Sequence, residues 1–213
     1  MGFQALGALS IPLDFSYKDK KELLRRKRIN EHLLGRMQNK KEKANILSEL
    51  GTISYLLSEP RKAIEFDDQA LAISREIGDR RGEGNALRKL GNAYSELGEP
   101  RKAIEFHEQA MKISREIGDR RGEDPNNLGN AHYQLGELHK AIEFYEQALA
   151  IAREIGNRRG EGTALWNMSL ALNSLGSRAK AIECARAALK IYEEIEDQSA
   201  KQVRQKLQKW ESG

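Results

Sequence analysis

Residues 60–83 read PRKAIEFDDQALAISREIGDRRGE and residues 100–123 read PRKAIEFHEQAMKISREIGDRRGE, so 20 of 24 positions are identical. They differ only at Asp67/His107, Asp68/Glu108, Leu71/Met111 and Ala72/Lys112. A third copy runs from His139 to Glu161, and a looser fourth from Lys180 to Asp197. Ala63, Ala103, Ala141 and Ala181 mark the register, at separations of 40, 38 and 40. A period of this length means a stack of supersecondary units, each of which cannot bury its apolar face alone.

Each unit reads as two helices. In the second, Asp79 is placed to cap a helix whose Ala86, Leu87, Leu90, Ala93, Tyr94 and Leu97 recur at helical spacing. Gly98 ends that helix, and Pro100 opens the next at a position where a missing N–H costs little. Ala103, Ile104, Phe106, Ala110, Met111, Ile113 and Ile117 form its apolar stripe. Composition agrees. Valine occurs once (Val203) and threonine twice (Thr52, Thr163), a poor endowment for a sheet.

The order Leu90-Gly91, Tyr94, Ala103, Ala110 resembles the tetratricopeptide repeat (TPR). Leu50-Gly51, Leu128-Gly129 and Met168-Ser169 stand at the matching first-helix sites, and Ala63/Ala70, Ala141/Ala148 and Ala181/Ala188 at the second-helix sites. The period of 40 is similar to that of kinesin light chains, the Leu-Gly-Asn polarity adaptors and bacterial signalling arrays. The resemblance implies an all-α, right-handed superhelix (α-solenoid) of about four helix pairs with a concave groove and capping helices at both ends. The expected divisions are an apolar flexible tail over 1–17 and a basic helix over 18–39. Four units follow (40–78, 79–118, 119–156, 157–197), then a capping helix over 198–213.

The third unit is two residues short, because Glu123-DPNN-Leu128 stands where the second unit has Glu83-GNALRK-Leu90. Two residues rotate a helix face by about 200°, which a continuous helix does not absorb. The helix is therefore predicted to start late, with Asp124 as its cap and Pro125 in its first turn. The shortening reads either as a loop change or as a hinge or seam that lets two chains exchange repeats.

The ends differ from the repeats. Residues 18–43 carry a net charge of +7, against +4 for the whole chain. Leu24, Ile29, Leu33 and Met37 are the expected apolar face of this basic helix. It reads as a solvated cap or as a patch for anionic lipid or nucleic acid, although it offers few aromatics for base stacking. Ala200, Val203, Leu207 and Trp210 form one stripe, with Trp210 as a core anchor.

No catalytic constellation stands out, and the chain is read as no enzyme with no cofactor. Cys184 replaces Phe66, Phe106 and Phe144 of the sister units and is expected in the core. His107 is expected on a helix surface. His32, His107, His132 and His139 show no zinc spacing, and no phosphate-binding glycine loop is present. The charged REIGDRRGE segments are read as solvated junctions, where Glu76 and Arg80 could pair. A single cysteine and no long apolar run point to a reducing, cytoplasmic setting.

What remains is the groove. In proteins of the resembled family the first helix of each pair lines the concave side. Positions one and two turns apart select Asn45 with Ser48, Thr52 and Tyr55, then Asn85, Arg88 and Asn92 with Ser95. They go on to Asn126, Asn130 and Tyr133, and finally Trp166 and Asn173 with Thr163 and Leu170. An asparagine amide both donates to and accepts from a peptide backbone, and an arginine grips a carboxylate with two hydrogen bonds. The expected partner is a protein or peptide, acidic in character, held by a non-catalytic scaffold. The carboxylate-clamp co-chaperones use Asn and Arg or Lys at such sites, and the match here is partial. Rival readings are a self-associating, repeat-swapped homodimer and contact through the basic helix. Small-molecule substrates, nucleic acid and membrane are not the favoured partners.

Overall fold

A computed structural model of the chain describes residues 17–212, and among them every regular element is a helix. The ten are α1 (Tyr17–Leu34), α2 (Lys40–Leu56), α3 (Pro60–Glu76), α4 (Arg80–Glu96), α5 (Pro100–Glu116), α6 (Pro125–Gln134), α7 (Leu138–Glu154), α8 (Arg158–Ser174), α9 (Arg178–Glu194) and α10 (Ser199–Glu211). The expected apolar tail lies, up to residue 16, outside the described residues. The fold is all-α and of the α-solenoid type, with helices in consecutive pairs. The described residues divide into two compact units, one ending at Gly122 and one beginning at Glu123.

Local chemistry sets the helix ends. Pro60 and Pro100 open α3 and α5. Asp79 Oδ1 accepts from the Gly82 N–H at 2.9 Å, and Asn157 Oδ1 does the same for Gly160 at 3.0 Å. Each cap satisfies one of the orphan donors at a helix start. At the end of α4, Gly98 takes φ +74°, its N–H donates to Ser95 O at 3.1 Å, and Glu99 N–H donates to Tyr94 O at 2.9 Å. That is a Schellman motif, and it needs a residue in the left-handed region. Ser58 and Glu196 occupy the same kind of position with φ of 58° and 53°.

In the first unit, α2 to α5 enclose a core of Leu47, Leu71, Leu87, Leu90 and Ile113 between small residues. Ala70, Ala86 and Ala110 let the helices approach closely. Each fully buried leucine contributes about 1.5–3 kcal/mol. Against this core α1 buries Leu23 and half-buries Leu34. This corrects the expected apolar face of α1: Leu24 is 42% exposed, Ile29 48% and Leu33 38%. Ion pairs flank the buried stripe, Arg26 to Glu49 and Lys27 Nζ to Glu59 at 2.6 Å. Part of its positive charge is therefore spent inside the molecule.

In the second unit α6 spans 10 residues, where α2, α4 and α8 each span 17. It begins at Pro125, and Asp124 Oδ1 accepts from the Asn126 N–H at 3.1 Å. Residues 119–124 form turn and loop. The late start follows from the missing two residues and from Pro125, which cannot continue a helix from the preceding turn. On the far side α10 lays Val203, Leu207 and Trp210 against α9, and Arg178 Nε donates to the Trp210 carbonyl at 2.8 Å.

The repeated charged junctions are organised rather than merely solvated. Glu83 is buried and accepts from Arg75 Nε at 2.9 Å and from Arg80, which also reaches Glu116. Glu161 repeats this with Arg153 at 2.9 Å and Arg158 at 2.5 Å. Glu76 pairs with Lys40, not with Arg80.

Candidate functional site

Within the first unit, α2 and α4 are the first helices of their pairs, and they bring part of the expected set together. Asn45 and Asn85 are exposed, while Arg88 and Asn92 are half-buried. Arg88 Nη2 donates to Asn85 Oδ1 at 2.9 Å, one turn away on the same helix. Thr52 Oγ1 is turned back onto the Ser48 carbonyl at 3.0 Å.

Lys89 is the residue that the helical spacing missed. Its Nζ donates to both the carbonyl and the Oγ of Ser48, each at 2.6 Å, and so ties α4 to α2. Burial pushes its amine below the usual lysine range, Asp67 opposes that, and Arg88 adds to it. The available signal was its place next to Arg88, where sister units carry Glu49, Asn127 and Asn167.

Beneath this face lies a position that the sequence reading put on the surface. Asp67, His107 and Tyr145 are equivalent in the repeat, and they are 1%, 4% and 2% exposed. Each lies against the glycine of the paired first helix. A Cβ on Gly51 would stand 2.5 Å from Asp67 Oδ1, and one on Gly91 would stand 2.5 Å from His107 Cε1. The expectation that His107 is a surface residue is therefore corrected: a missing Cβ opens a slot that the next helix fills. Burial holds the His107 imidazole down at about 4, and Arg88 acts in the same direction. Asp67 is pushed up to about 7 by burial, against the pull of Lys89. Its Oδ1 has no hydrogen-bond partner among the described residues.

The second unit uses its expected residues differently. Asn130 Oδ1 accepts from the Tyr145 hydroxyl at 2.9 Å and from Asn167 Nδ2 at 3.2 Å, so this amide is engaged in the scaffold. Trp166 is 6% exposed and stacks on Trp210 with centroids 6.1 Å apart, which removes it from any open face. Tyr133 is half-buried, with its hydroxyl 3.2 Å from Ser174 Oγ. Asn126 and Asn173 are half-buried, and Asn126 Oδ1 has no partner among the described residues.

Among the described residues no three His, Cys, Asp or Glu side chains gather as a metal site. Cys184 is half-buried against the second core, and burial pushes its thiol up, with Glu183 and Glu146 adding to it. A thiol held protonated is a poor nucleophile. Among the described residues no helix is long and apolar enough to cross a membrane.

A sequence model of the tetratricopeptide repeat matches residues 42–116 and 125–194. The curated proteins gave no match. Among solved structures, a Rap protein complexed with Competence and Sporulation Factor is 19% identical with a TM-score of 0.75; the likeness covers 86% of this chain and 52% of that one. BtubC (BKLC) from P. vanneervenii is 19% identical with a TM-score of 0.66, over 92% of this chain and 90% of that one. A STAND protein with a tetratricopeptide repeat sensor from Pyrococcus horikoshii is 21% identical with a TM-score of 0.70, over 78% of this chain and 26% of that one. The chain thus spans about half the length of the Rap protein. At these identities the likeness shows the fold.

Proposed function

Because the chain belongs to the tetratricopeptide repeat family, we propose that it is a non-catalytic interaction scaffold holding an acidic peptide on the α2–α4 face of its first unit. The observation that carries this reading is the pair of adjacent cations on α4. Arg88 is half-buried and steadied by Asn85, and Lys89 is steadied by Ser48. Cations whose side chains are already ordered lose less entropy on gripping a carboxylate. Asn45, Asn85 and Asn92 stand beside them with amides suited to a peptide backbone. The fold also supports the reading, since the Rap protein that shares it was solved in complex with Competence and Sporulation Factor.

In the second unit the apolar and amide groups serve the scaffold first. Trp166 anchors the core and Asn130 joins three helices. Its contribution to a ligand would rest on Tyr133, Asn126 and Asn173.

Fluorescence anisotropy with labelled hexaglutamate, and hexalysine as the control, tests the reading. Hexaglutamate is expected to bind, more weakly as salt is raised. Arg88→Ala is expected to weaken it by about tenfold or more, the worth of a hydrogen bond to a charged group. Equal binding of both peptides, or an unchanged affinity in Arg88→Ala, would sink it.

A further inference from the structure

The position under the first-helix face differs between the two units in a way that bears on charge. In the second unit Tyr145 reaches Asn130, and Asn167 closes the same acceptor. In the first unit the equivalent residues are Asp67, Thr52 and Lys89. Asp67 is too short to repeat the bond, and Thr52 is turned to Ser48. One carboxylate oxygen is left buried against Gly51 without a partner among the described residues, one turn along α2 from the Ser48 that anchors Lys89.

We propose that Asp67 and Lys89 form a titratable pair in which the charge of Asp67 sets how much positive charge Lys89 presents to an acidic ligand. This rests on the reading of the α2–α4 face as the ligand face. Lys89 cannot leave the neighbourhood of Asp67, because its amine is fixed by two bonds to α2 while its stem rises from α4. When Asp67 is ionised the two charges offset each other. When it is protonated, the cation is left to the ligand.

The other charged groups around the pair are few. Asp68 on α3 acts on Asp67, and Glu49 on α2 and Arg88 on α4 act on Lys89. Asp67 changes charge near neutral pH, at about 7, because burial raises it. His107, held down at about 4, stays neutral over that range. Lowering the pH from 8 to 6 therefore makes the face more cationic, and an acidic ligand binds about tenfold more tightly.

Two readouts on the full chain test this. The first needs no ligand: the rate at which acetic anhydride acylates Lys89, followed by peptide mass in the native protein and in Asp67→Asn. Removing the negative charge favours the free amine, so Lys89 in Asp67→Asn is expected to react severalfold faster at pH 8. Equal rates overturn the proposal. The second is hexaglutamate affinity at pH 6 and pH 8. The native chain is expected to bind about tenfold tighter at pH 6, and Asp67→Asn to bind tightly at both. If Asp67→Asn does not fold, Lys89→Met is expected to remove the pH dependence instead. Binding that is the same at both pH values in the native chain overturns the proposal and leaves the ligand face standing. Faster acylation with no hexaglutamate binding at any pH supports the pair and overturns the ligand face.

Discussion

The Tyr145 hydroxyl donates to Asn130 Oδ1 at 2.9 Å while its ring lies against Gly129. The same amide oxygen accepts from Asn167, so one acceptor joins α7, α6 and α8. The slot exists because Gly129 has no side chain. What fills it varies along the chain, from Asp67 to His107 to Tyr145; in the last repeat Ser169 replaces the glycine and Ala185 stands at the matching position. The repeated backbone geometry thus offers one buried place whose chemistry differs among the first three repeats.

Gly129→Ala tests the slot. The added methyl would drive into the Tyr145 ring. Overpacking of this kind costs about 1–3 kcal/mol, against a helix-propensity gain of about 1 kcal/mol. A net loss of about 1 kcal/mol is expected for the second unit. The chain has two tryptophans, Trp166 and Trp210, both in that unit, so their fluorescence during urea unfolding reads it directly. An unchanged midpoint would show that the ring gives way freely.

Ser58→Gly is expected to stabilise the first unit. Ser58 holds φ at 58°, where the equivalent Gly98 holds 74° without a Cβ. The left-handed conformation costs a non-glycine residue about 1–2 kcal/mol, and glycine returns part of that gain as chain entropy. A net gain of about 0.5–1 kcal/mol in far-UV circular dichroism unfolding is the expected result. A loss of stability would mean that the serine side chain holds something the turn requires.

Periodicity made the helix pairs, the family and the late start of α6 legible before any coordinates. Those features depend on local rules: spacing of apolar residues, proline at helix starts, glycine at ends. The buried slot was not legible, because a polar residue between charged neighbours (Glu65-Phe66-Asp67-Asp68) reads as a solvated face. Only the approach of Gly51 from another helix buries it. Trp166 misled for the same reason, since its partner Trp210 is far away in sequence. Spacing alone picks the wrong stripe of α1: Leu23 and Leu34 turn inward, with Lys27 between them paired to Glu59, while Leu24, Ile29 and Leu33 stay outside. Lys89 escaped notice because its role depends on Ser48 across a helix interface.

Restoring the two missing residues after Asp124, with Pro125→Ala, is expected to lengthen α6 toward the 17 residues of α4 and α8. Proline and the short register together hold its start at residue 125. In the repaired chain the amides from Glu123 onward would join the helical ladder, as the Glu83 N–H donates to the Asp79 carbonyl at 2.9 Å in α4. Their exchange with deuterium should slow by more than tenfold relative to the native loop. Light scattering on both chains also decides whether the short repeat is an assembly device. A native dimer and a repaired monomer would say that it is, and two monomers that it is a local loop.

Asp67 and His107 set opposite pH slopes in the first unit. Burial lowers His107 from 6.5 to about 4, with Arg88 adding to it. Between those values the unfolded chain binds the proton and the native chain does not. The stability it contributes is full above pH 6.5 and falls toward pH 4, by on the order of 3 kcal/mol. Burial raises Asp67 from 3.8 to about 7, against Lys89 and with Asp68. Here the native chain keeps the proton that the unfolded chain releases. That contribution is full below pH 3.8 and is lost as pH rises through 7, by on the order of 4 kcal/mol. The two slopes oppose each other between about pH 4 and pH 6.5. Asp67→Asn removes one of them, so the variant should gain on the native chain steadily as pH rises from 4 to 7, and no further above it. Urea midpoints by circular dichroism at pH 4.5, 5.5, 6.5 and 8 measure that difference. A constant difference across the series would show that Asp67 ionises in its ordinary range, and that the slot under Lys89 is open to water.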